Sequence, residues 1–92
     1  MYKRIKKDKM IVIIMDSIHY ILKAEKIFKK AGFKEFEIIP VPKEIHSNCG
    51  SALKIEKKFK DKAIEILKKN NFKFRIFTYY RNLDFFIEEE NA

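Results

Sequence analysis

Six consecutive apolar residues, Met10-Ile-Val-Ile-Ile-Met15, stand between a lysine-rich lead-in and the polar pair Asp16-Ser17. A run this short, branched and apolar on both alternating faces predicts a central β-strand rather than a helix. The period then changes. From Ile18 to Ala31 apolar residues recur at helical spacing, with Asp16 or Ser17 as N-cap and Gly32 as the C′ stop. Tyr20, Ile21, Leu22, Ala24, Ile27 and Phe28 share one broad face with Ile18 and Ala31, and His19, Lys23, Lys26 and Lys30 lie opposite.

Phe36–Val41 predicts a second strand, and Pro40, which cannot donate to a ladder, places it at a sheet edge. Ala52–Glu56 alternates as a third strand, and Phe59–Asn70 predicts a second helix with Phe59, Ala63, Ile66 and Leu67 inward. Phe72–Phe77 alternates as a fourth strand. The order β-α-β-β-α-β predicts an α+β, ferredoxin-like sandwich, an antiparallel sheet with two helices on one face. The first and second strands are then parallel, with the third between them. Residues 1–9 read as a basic lead-in, 10–80 as the single domain, and 81–92 as a tail. Phe85, Phe86 and Ile87 in that tail predict a cover for the open sheet face or the interface of a homodimer.

Composition changes this picture in three respects. The 92 residues are 47% hydrophobic, which supports one packed core. A single cysteine precludes an internal disulfide, and no apolar run is long enough to span a membrane. With no signal-peptide pattern, these features predict a cytoplasmic protein. The net charge of +8 and the abundance of Lys, Ile and Glu without Gln or Trp resemble a thermophilic prokaryote's usage. The same charge makes RNA a candidate partner, with Phe72, Phe74 and Phe77 as stacking residues, although no RNP1 pattern is present.

The candidate chemistry lies in the loop between the second and third strands, where the single cysteine, Cys49, precedes one of two glycines, Gly50. A loop thiol is expected to meet solvent and partners, and Gly50 leaves room for a close approach. The predicted topology brings Asp16, Ser17 and the first helix's N-terminus to the same end of the sheet, where free N–H groups favour a thiolate. Phosphate loops, hydrolase elbows and paired catalytic carboxylates are missing, so a carrier or binding protein is expected rather than an enzyme.

The stretch Pro42-Lys-Glu-Ile-His-Ser-Asn-Cys-Gly-Ser-Ala-Leu53, with its Pro-x-x-Ile-x-x-x-Cys-Gly spacing, resembles the selenium/sulfur carrier-like proteins, a prokaryotic family. Asp16-Ser-Ile-His-Tyr-Ile-Leu-Lys-Ala-Glu-Lys26 resembles that family's first helix, and the likeness runs from about Met10 to Tyr79. The resemblance implies a carrier that binds sulfur or selenium covalently on Cys49, flanked by Gly50, with donor and acceptor proteins as partners and no other cofactor. His46 departs from the pattern, which has a small hydroxyl residue at that place, so no role for it is inherited.

Three further residues have two readings each. His46, three residues before Cys49, is either a charge that activates the thiol or a solvated loop histidine. His19, near the start of the first helix, is a supporting group or a surface residue. Glu25 falls inside the apolar arc, either as a proton donor or as the partner of Lys29 in a rim ion pair. One cysteine and two separated histidines make no metal site. The competing function is a basic RNA- or partner-binding module in which Cys49 is incidental.

Overall fold

A computed structural model describes residues 10–80 and 85–89, so the basic lead-in and residues 81–84 and 90–92 of the tail lie outside the described residues. The described chain runs β1 (Met10–Ile14), α1 (Ile18–Lys30), β2 (Phe36–Pro40), β3 (Ser51–Glu56), α2 (Lys60–Lys69), β4 (Arg75–Tyr80) and β5 (Phe85–Glu89). A turn of 3₁₀-helix, Lys57–Phe59, leads into α2. The fold is α+β. Five strands form one sheet in the order β2-β3-β1-β4-β5, and every neighbouring pair is antiparallel.

β1 is central and buried at all five positions, as its unbroken apolar run predicts. β2 and β1 both run antiparallel to β3, so they are parallel to each other, with β2 and Pro40 at the edge. Both helices close with the same device. Gly32 at φ 78° and Asn71 at φ 61° take the left-handed C′ position. The amides of Phe33 and Phe72 reach back to the carbonyls of Phe28 and Leu67 at 2.8 and 3.0 Å. The Phe28 and Phe33 rings meet edge-on at 4.9 Å, the apolar contact that accompanies this motif.

β4 begins three residues later than its alternation predicts. Ile14, the last residue of β1, pairs with Arg75, so β1 offers no partner to the residues upstream of Arg75. Phe72 belongs instead to the end of α2, and Phe74 packs against the helix-side core. β5 extends the sheet beyond β4 in register Phe77↔Glu88 and Thr78↔Ile87, within the stretch read from sequence as a tail.

The core has two sides. Ile11, Ile13, Leu53, Ile55 and Ile76 face the helices and pack with Ile21, Ala24, Phe28, Ala63 and Leu67. Met10, Val12, Ile14, Ala52 and Phe77 face away, and Ile45 from the β2–β3 loop and Phe86 from β5 join them. α1 buries a narrower stripe than its spacing predicts, because Ile18, Tyr20 and Leu22 are each 46% exposed. Among the described residues no helix is long and apolar enough to cross a membrane.

Candidate functional site

The loop Pro42–Cys49 connects two paired strands, and its base is closed where the Val41 amide donates to the Gly50 carbonyl at 3.1 Å. Proline at its start favours a turn, and the Ile45 amide bonds the Pro42 carbonyl at 3.0 Å. That turn carries Ile45 onto the far face of the sheet, where it is buried. Further on, the Ser47 hydroxyl accepts from the Cys49 amide at 3.1 Å, a local side-chain turn that serine favours.

Cys49 then departs from its expectation. The residue is 5% exposed and belongs to the helix-side core with Met15 and Ile21. Its Sγ donates to the Ser51 carbonyl at 3.2 Å. A loop position alone predicts solvent contact, but a small apolar side chain at the edge of the helix-side core is drawn inward by the hydrophobic effect. Gly50 is exposed, and a Cβ built there meets nothing within 4 Å. Steric packing of the closed loop therefore does not require glycine at this position.

Beside the loop lies an open cleft of about 500 Å³ lined by Ile14, Met15, Asp16, His46, Ser47, Asn48, Lys73, Phe74 and Arg75. It joins the β1–α1 turn, the Cys49 loop and the entry to β4. Asp16 and Lys73 also border a neighbouring cleft of about 270 Å³ with Tyr20, Lys23, Asn70, Asn71 and Phe72. Asp16 is thus brought to the loop of Cys49. Ser17 is the N-cap of α1, but no side-chain hydrogen bond caps the helix, and its carbonyl accepts from Tyr20 and Ile21.

His46 lines the cleft with an exposed side chain, while its carbonyl accepts from Arg75 Nη1 at 3.2 Å. His19 lines neither cleft and stacks edge-on with Tyr20 at 5.9 Å. Glu25 pairs with Lys29 at 3.4 Å, in a separate depression with Phe36 and Ile38. Phe77 is only 7% exposed, and the Arg75 guanidinium lies 4.9 Å from its ring centroid, so this ring offers no free platform for base stacking. Among the described residues no cluster of His, Cys, Asp and Glu could hold a metal ion.

Arg75 escaped the sequence reading. Its Nε and Nη2 donate to the two carboxylate oxygens of Glu88 on β5 at 3.1 and 3.0 Å. Those bonds, with the charge of Glu88, raise the Arg75 pKa above its ordinary value, and the Arg75 bonds hold the Glu88 carboxyl below its own. The available signal was alternation, since Arg75 and Phe77 share a strand face. Nothing in the sequence pairs either with a loop 29 residues away.

Neither the curated proteins nor the solved structures contain a match to this chain. Residues 10–78 match the family described as putative Se/S carrier protein-like, a stretch that contains β1 to α2, the Cys49 loop and most of β4. The chain belongs to that putative Se/S carrier protein-like family.

Proposed function

We propose that the protein carries sulfur or selenium covalently on Cys49, taking it from one protein and giving it to another. The family match over residues 10–78, around a chain with a single cysteine, is the observation that carries this reading. We read β2-β3-β1-β4 and the two helices as a ferredoxin-like core to which β5 is added. The Cys49 thiolate, with the loop open, attacks the outer sulfur of a donor persulfide. A new S–S bond forms on Cys49, the donor's S–S bond breaks, and the donor leaves as a thiolate. An acceptor thiolate then attacks the same outer sulfur and regenerates the Cys49 thiolate, so the relay needs no external oxidant or reductant. The closed loop supports the reading from another side, because a covered Cys49 is kept from bulk thiols.

Intact-mass spectrometry tests it. Incubation with inorganic polysulfide is expected to add one sulfur atom to the chain, the adduct to vanish with dithiothreitol, and Cys49→Ser to gain none. Mixed disulfides with added thiol, and no persulfide, would sink the carrier reading. The net charge of +8 favours the second reading, a basic RNA-binding module, and salt-sensitive tRNA binding that survives Cys49→Ser would support it.

A further inference from the structure

Three bonds of the Cys49 loop, from Ile45 N, Cys49 N and Cys49 Sγ, stay within residues 42–51. The bond from Arg75 Nη1 to the His46 carbonyl ties the loop to another strand. Arg75 gives Nε and Nη2 to Glu88, and the guanidinium is planar, so the bidentate pair with Glu88 fixes the plane in which Nη1 points. The guanidinium also lies over the Phe77 ring, 4.9 Å from its centroid, a second contact that holds it on this face.

β5, which presents Glu88, is anchored from its opposite face. Glu89 accepts from Lys60 at the start of α2 and from the hydroxyl of Thr78, a buried residue of β4. Both glutamates lie beyond residues 10–78, the stretch shared with the family.

We infer that Arg75 is a positioning residue that holds the Cys49 loop closed through the His46 carbonyl, and that Glu88 on β5 aims it. β5 is therefore a regulatory addition to the carrier core: it sets how often the thiol is uncovered. The guanidinium fork is required because no single ammonium can grip two carboxylate oxygens and a carbonyl in one plane. The functional meaning of this clamp rests on the carrier reading, but its physical test does not.

The measurement is the rate at which excess iodoacetamide alkylates Cys49 in the folded, full-length chain at fixed pH, where reaction waits on local opening. Arg75→Lys is expected to speed labelling roughly three- to ten-fold, the factor set by one hydrogen bond's net contribution. Glu88→Gln, an exposed and shape-preserving change, is expected to speed it less. The double variant should label no faster than Arg75→Lys alone, because Glu88 acts through Arg75. Lys54→Met, which breaks the Lys54–Glu37 pair at the β2 edge, should leave the rate unchanged. Unchanged rates in both clamp variants would overturn the inference. So would multiplied effects in the double variant, or accelerations that follow each variant's loss of global stability in urea. Faster labelling without persulfide uptake would leave the clamp standing and sink the carrier reading. Normal uptake with unchanged labelling would do the reverse.

Discussion

At the scale of single residues, Cys49 is a small apolar side chain in an apolar cluster whose one polar act is to donate to Ser51. Serine in its place keeps a donor but puts a more strongly hydrated hydroxyl where sulfur filled space. Cys49→Ser is expected to cost about 1–3 kcal/mol of folding stability. Urea denaturation reads this as a lower midpoint at unchanged slope, and an unchanged midpoint would mean that the thiol is not interior. What the sequence makes legible at this scale is backbone chemistry. Gly32 closes the first helix as expected, and the second ends at Asn70-Asn71 within a residue of its predicted limit, because such signals are local. The burial of Cys49 is not legible, because it depends on which core edge the loop meets. Glu25 shows the intermediate case: its i,i+4 partner Lys29 can be read from spacing, and the pair forms.

Among the elements, β1, α1, β2 and β3 stand within a residue or so of their predicted limits, since each is bounded by its own polar or turn residues. β4 and β5 do not follow from local pattern. The start of β4 is fixed by where β1 ends, and β5 is specified by side chains on both of its faces. Glu88 reaches Arg75 on the far face, whereas Glu89 reaches Lys60 and Thr78 on the helix face. Glu89→Ala deprives the buried Thr78 hydroxyl of its acceptor and is expected to cost about 1–3 kcal/mol. Hydrogen exchange should place the loss in the β4 and β5 amides. Faster exchange spread evenly over β2 and β3 would argue against Glu89 as the anchor of β5.

For the whole molecule, the same two carboxylates set an acid limit. Burial acts to raise Glu89, but hydrogen bonds from Lys60 and Thr78 and the charges of Lys60 and Lys57 hold it below its ordinary 4.5. Glu88 is likewise lowered, chiefly by its bonds from Arg75. A carboxyl whose folded pKa is depressed adds stability that is present above the unfolded value and lost as pH falls through the folded one. Stability is therefore expected to hold at neutral pH and to decline from about pH 5 downwards, as a chain already at +8 gains further charge. Urea midpoints from pH 3 to 7 measure this. The double variant Glu88→Gln, Glu89→Gln should start lower and show a flatter decline, with Glu89 contributing more because the Glu88 side chain is 47% exposed and screened. An identical pH dependence in wild type and variant would assign the acid limit to other groups.

The Cys49 loop places side chains in both cores, Ile45 on the far face of the sheet and Cys49 on the helix face. Any excursion that frees both residues lays bare oily surface at two places at once. Water receives such surface poorly, and a protein with a matching apolar hollow receives it well. The energetic cost of presenting the thiol thus depends on who is nearby. In free solution the open form is rare, and small thiols meet a closed door. For the proposed carrier, a partner that shelters Ile45 would raise the population of that form as it binds, so discrimination between a macromolecular recipient and a stray metabolite would need no recognition of the sulfur itself.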